Sequence, residues 1–188
     1  MTVNGQTVAR MTVLGLVAVI VEAAAVSQIP IFGVPADLSP LVVMAVGLLA
    51  GSVAGATVGF GIGLFVDLML AQTLGVSSLI YVLVGYGAGR LRELRDPQGA
   101  LVPMAVGAAA TAAALLGYSI VQFMLGVDSP VSFLLARQIL ATVLLNTIIA
   151  LPVHAVVRRW LLPVLPEDPR RRRRRAYTTG GLSPLSRA

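Results

Sequence analysis

Charge is scarce in this chain. Asp, Glu, Lys and Arg make up 12% of its 188 residues, about half the share of an ordinary soluble domain, which is roughly 25%. A soluble domain of this size covers itself with such side chains, and the supply here is too small to do so. Cysteine is absent, which excludes a disulfide framework, a thiolate zinc site, an iron–sulfur cluster and a cysteine nucleophile. Histidine occurs once, as His154, so multi-histidine metal sites are removed and little remains for histidine-based catalysis. Lysine is missing too, and all fourteen basic residues are Arg.

What the chain has instead is apolar. Hydrophobic residues reach 57% and mean hydropathy is +0.89. This composition excludes a soluble globular enzyme, a disordered protein and a coiled coil, and predicts an all-α integral membrane protein. The net charge of +6 does not imply nucleic acid, because six arginines form one run, Arg170, Arg171, Arg172, Arg173, Arg174 and Arg175, with only Tyr177 as an aromatic neighbour.

The first apolar run, about Met11 to Phe32, is long enough to cross hydrocarbon about 30 Å thick. Glu22 within it fits poorly with a signal peptide, so an uncleaved span is expected. Gly33 to Asp37 reads as a loop broken by Pro35. From Leu38 to about Gln72 the chain is apolar again. As one helix of about 35 residues it would be about 52 Å long, too long for one crossing. Two short spans or a re-entrant hairpin are expected, broken in the Gly-Ser-Val-Ala-Gly stretch at 51–55. Further spans are predicted at about Val76–Gly89, Leu101–Leu125 and Val131–Val157. The division expected is a membrane domain over 1–166 and a disordered Arg-rich cytoplasmic tail over 167–188.

Arginine placement sets the number of crossings, because cytoplasmic loops carry the excess of basic residues. The clusters are Arg10; Arg90, Arg92 and Arg95; and Arg158 and Arg159 with the tail. If 38–72 goes down and back, all three share one side and only Arg137 falls inside a span. Six embedded segments with both termini cytoplasmic is the consistent topology. The tail run is expected to hold anionic lipid, at about 1 kcal/mol for each Arg near the surface.

The most ordered local pattern is a glycine every fourth residue: Gly47, Gly51, Gly55, Gly59 and Gly63. Small residues at this spacing make a groove where another backbone can approach closely. Gly85 and Gly89 form a second stripe. Both read either as internal packing of adjacent short helices or as a docking groove for a partner helix.

Ionisable groups inside a membrane cost roughly 2.5–3.5 kcal/mol on insertion scales and mark pairs or function. Three are expected there: Glu22, Asp67 and Arg137. Asp67 and Arg137 have similar estimated depths below the outer surface, so a salt bridge between them is expected, with Glu22 as a possible third member. Gln122, Gln138, Asn146 and His154 read as interhelix hydrogen-bond partners. No pair of acids, Ser–His arrangement or His-Glu-x-x-His motif supports a membrane peptidase. The Gly-x-Gly pattern lies in a span rather than after a soluble strand. No enzyme activity, cofactor or metal is expected.

The block from Gly51 to Leu70, with Gly59-Phe60, Gly63-Leu64 and Asp67-Leu68, then Leu74-Gly75, then Gly85-Tyr86-Gly87-Ala88-Gly89, resembles the rod shape-determining protein MreD family. The Pro35-Ala36-Asp37-Leu38 approach to the second span fits as well. The resemblance implies a non-enzymatic inner-membrane scaffold of bacterial cell elongation. It implies association with an MreC-like membrane protein and, through it, with MreB and the peptidoglycan synthases. It also implies six helices arranged like the substrate-binding subunits of energy-coupling-factor importers. The long Arg-rich tail is not a mark of that family. A substrate-binding subunit of a vitamin-type importer is the alternative. The outer loops offer it little beyond Asp37, Gln72, Asp128 and Ser129, and aromatics are only 5%.

Overall fold

The computed structural model describes residues 5–22, 24, 37–94, 99, 101–126 and 133–163. They form six helices: α1 (Gly5–Val21), α2 (Ser39–Ala50), α3 (Ser52–Met69), α4 (Val76–Leu94), α5 (Leu101–Met124) and α6 (Phe133–Leu161). No strand occurs among the described residues. The all-helical expectation holds among the described residues, and most element boundaries follow the apolar runs; the expected end of the first span at Phe32 and the start of the last at Val131 lie outside the described residues. The first helix starts at Gly5 rather than Met11, α4 runs past Gly89 to Leu94, and α6 reaches Leu161. The proposed tail, Arg95 and the Arg170–Arg175 run lie outside the described residues.

The long apolar run over 38–72 breaks where the sequence predicts, at Gly51. Its φ of +99° is a left-handed conformation that residues with a Cβ resist. On either side the chain folds back on itself. A Cβ added to Gly55 would come 2.8 Å from the Gly47 Cα, and one added to Gly59 would come 3.1 Å from Val43. The two helices are therefore an antiparallel hairpin. At about 1.5 Å per residue α2 is about 18 Å long, too short to cross hydrocarbon alone. It is apolar on every side and ten of its 12 residues are buried, as expected of a helix surrounded by others. It packs against all five other helices. Leu41, Val43, Met44, Ala45 and Val46 on it are almost completely shielded.

Three helices are long and apolar enough to span a membrane: Ser52–Met69, Leu101–Met124 and Leu134–Leu161. Their outward faces carry large apolar side chains, among them Phe60, Leu116, Ile120, Leu140, Leu144 and Ile148. In water such a surface would be a liability, whereas against lipid it has no cost. The charged end of α4 (Arg90, Arg92 and Glu93) keeps that helix from being apolar along its whole length. At the other end of the chain, Arg10 Nη1 donates to the Trp160 carbonyl at 3.1 Å. This contact brings the start of α1 to the C-terminal turn of α6, where a cation is favoured by the helix dipole.

Candidate functional site

The glycine ladder is filled from inside the chain. A Cβ on Gly63 would sit 2.4 Å from Ser78 backbone atoms, and one on Gly59 would sit 2.3 Å from the Tyr81 carbonyl oxygen. On Gly55 it would meet the Gly85 carbonyl oxygen at 2.4 Å; on Gly89 it would meet the Ser52 nitrogen at 2.2 Å. These contacts step evenly along two antiparallel helices, α3 and α4, whose backbones touch over about three turns. Gly47 comes into the same joint from α2, with the Gly85 oxygen 2.5 Å from its added Cβ. Gly85 thus lies where three helices meet. The reading of Gly47, Gly55, Gly59, Gly63, Gly85 and Gly89 as an open groove for a partner helix is corrected: a groove already holding α4 has no room for a second helix. Gly51 acts as the hairpin hinge. Gly61 and Gly87, by contrast, face open space.

The intramembrane acids have a common role that the sequence reading missed. The Asp67 side chain is fully buried, and its carboxylate accepts the Gly75 N–H at 2.7 Å and the Ser77 N–H at 3.3 Å. These are amides at the start of α4, which have no partner within their own helix. Glu22 accepts the Ser39 N–H at 3.0 Å and also the Ser39 hydroxyl; Ser39 is the first residue of α2. Glu93 accepts the Ser52 N–H at 3.1 Å and the Ser52 hydroxyl at 2.6 Å; Ser52 is the first residue of α3. In α2 and α3 the residue before the helix, Leu38 or Gly51, supplies no side-chain cap. Each cap comes instead from a carboxylate elsewhere in the chain. A carboxylate at a helix N-terminus satisfies orphan donors and meets the positive end of the dipole.

The expected Asp67–Arg137 salt bridge does not form. Arg137 is on an exposed face of α6 while Asp67 points into the joint between α3 and α4. Equal depth along two helices says nothing of the rotation about their axes, and the start of α4 already supplies the positive charge that Asp67 needs. Arg90 and Glu93 form an ion pair at 3.3 Å, largely exposed. Pairs of that kind contribute little. Glu93 is held below its ordinary value of 4.5, first by the Ser52 hydroxyl and N–H and then by Arg90. Arg92, Arg158 and Arg159 occupy the last turns of α4 and α6.

The polar residues of the later helices divide. Asn146, fully buried, is the interhelix partner expected: its Nδ2 donates to Thr111 Oγ1 at 3.1 Å and to the Asp37 carbonyl at 2.8 Å, and its Oδ1 accepts the Asp37 N–H at 3.3 Å. Gln122 instead donates within its own helix, to the Tyr118 hydroxyl. Gln138 lines a cavity of about 290 Å³ with Glu22, Asp37, Tyr118, Ser119 and Thr142. That cavity was not foreseen, because its lining comes from five separate segments.

A bundle of apolar helices built around the buried helix α2 and joined by glycine contacts, with acids spent on helix starts, defines a polytopic membrane protein with a structural core. A family model described as rod shape-determining protein MreD matches residues 5–161. The chain belongs to that family, and its role therefore lies in determining rod shape. The family is one of shape-determining proteins and is not known for enzymes. Searches of curated proteins and of solved structures find no match.

Proposed function

We propose that the chain is a non-enzymatic scaffold of the bacterial elongation machinery in the cytoplasmic membrane, with six embedded helices and both termini cytoplasmic. It docks an MreC-like membrane protein and, through it, MreB and the peptidoglycan synthases. The arrangement proposed is that of importer substrate-binding subunits, put to use as a platform. The family match over residues 5–161 carries this reading. Two features support it: the buried and half-buried acids are used for helix capping rather than for chemistry, and the large apolar outward faces of α5 and α6 suit lipid and partner helices. The contact to the partner is assigned to those outward faces, since the glycine ladder is occupied. The 167–188 tail, with its six arginines, is proposed to rest on anionic lipid.

Mild-detergent capture of the tagged chain from the parent bacterium tests the proposal. An MreC-like protein in stoichiometric yield supports the scaffold. Recovery of a pair of ATPases in its place overturns it in favour of an importer subunit. Reporter fusions at residue 95 and at the C-terminus should both read cytoplasmic, and an external signal at residue 95 contradicts the six-segment topology.

A further inference from the structure

The cavity noted above has a chemistry that the scaffold reading does not use. Its walls come from the end of α1, the loop before α2, the end of α3, the last third of α5 and the first third of α6. In the proposed topology all of these lie at the outer side. Apolar side chains such as Val19, Leu115 and Ile139 form most of the wall. Two carboxyl groups also line it, Glu22 and Asp37, and none of the described lining residues is cationic.

Asp37 is held rigidly for a loop residue. Its backbone N–H and C=O are both taken by the Asn146 side chain, which Thr111 fixes in turn. Its carboxyl group faces that of Glu22, to which it is hydrogen-bonded, with the Ser39 backbone N–H nearby. Oδ1 is shielded from solvent and has no hydrogen-bond donor among the described residues, whereas the neighbouring Glu22 carboxylate is engaged by Ser39. Such an atom is costly, because a buried acceptor without a partner keeps its full desolvation penalty. Burial raises the Asp37 carboxyl well above its ordinary value of 3.8, and the adjacent Glu22 raises it further. Both effects follow from two acids side by side in an apolar wall with no cation among the described lining residues. The volume is near the lower end of small-molecule pockets, roughly 300–1,000 Å³.

We infer that this cavity is a binding site for a small amphipathic organic cation, its ammonium group donating to Asp37 Oδ1 beside Glu22 and its apolar body lying against α5 and α6. An anionic ligand is disfavoured by two carboxyl groups with no cation among the described lining. A neutral apolar ligand would leave Oδ1 unsatisfied. The inference goes beyond the scaffold role and does not depend on it.

The test uses the full-length protein in phosphatidylcholine nanodiscs, with empty nanodiscs subtracted. Hexylammonium is the probe, and hexanol and hexanoate are its neutral and anionic matches. Saturation-transfer NMR and the thermal midpoint are the readouts. Hexylammonium is expected to bind saturably and raise the midpoint, with hexanol and hexanoate showing only unsaturable partitioning. Asp37→Asn, which keeps the backbone clamp to Asn146, should weaken hexylammonium at least tenfold. Ser119→Phe, which fills the cavity from α5 without touching either acid, should abolish binding and serves if the first variant does not fold. Saturable hexanol binding equal to that of hexylammonium overturns the inference. So does hexylammonium binding that survives Ser119→Phe, or the absence of saturable binding in the unmodified protein.

Discussion

At the scale of single residues, the costly groups are the informative ones. An acid in a membrane span needs compensation, and here it comes from unpaired amides at the start of another helix. Asp67 caps α4 and Glu22 caps α2 from within the bundle; Glu93 caps α3 at the basic end. Replacing Asp67 by Asn puts an amide N–H where an acceptor is needed, at an expected cost of about 1–3 kcal/mol. Arg137→Gln, on an exposed face, should stay within about 0.5 kcal/mol. Thermal unfolding in detergent of the two single variants and the double variant checks both. The effects should add, and rescue of Asp67→Asn by Arg137→Gln would show that the two side chains interact after all.

Glu93 gives a pH dependence with a definite sign. Its folded value lies below 4.5 because Ser52 and Arg90 stabilise the carboxylate. The folded state therefore binds the proton less readily than the unfolded state. The stabilisation is fully present above the unfolded value and is lost as pH falls through the folded one. The unfolding midpoint should drop on acidification below about pH 4.5, and Glu93→Gln should flatten that part of the profile. An unchanged profile in the variant would remove Glu93 as its source.

At the scale of elements, the joint between α2, α3 and α4 depends on the absence of side chains. A Cβ on Gly85 would lie 2.1 Å from the Gly55 oxygen and 2.4 Å from its carbonyl carbon. No rotamer change relieves a clash with backbone, so the helices would have to separate. Gly85→Ala should cost at least the 1–3 kcal/mol typical of overpacking, in rough terms. Gly87→Ala, two residues on and facing open space, should be neutral or stabilising by up to about 1 kcal/mol, since Ala is the better helix former. Comparison of their unfolding midpoints separates a packing role from glycine flexibility. Much of this joint was legible in the sequence. The period of four marked one helical face, and the excess length of 38–72 required a break near Gly51. What the sequence left open was what fills the groove, because Gly47, Gly55 and Gly85 come together only through the tertiary fold. The same holds for Ser39 and Ser52, whose partners lie 17 and 41 residues away. Asp67 was closer to hand, with Gly75 and Ser77 just across a turn, yet counting depth in residues pointed to Arg137 instead.

At the scale of the whole molecule, the central claim is that the glycine ladder serves shape determination indirectly, by holding the scaffold together, and not by receiving a partner in its groove. Class and family were readable from hydropathy and from the motifs over 51–89; the cavity was not, because its lining comes from five distant segments, four of which contribute only one or two polar groups each. The most direct test is cell width against the amount of folded protein, in cells depleted of their own copy and supplied with the unmodified chain, Gly55→Leu, Gly85→Ala, Gly61→Ala or Gly87→Ala. All five should fall on one curve, with Gly61→Ala and Gly87→Ala keeping rods and the two ladder variants failing only as far as their folded protein is lost. Gly55→Leu folded to the normal level yet unable to keep cells rod-shaped would contradict the claim, and would return the groove to a partner helix.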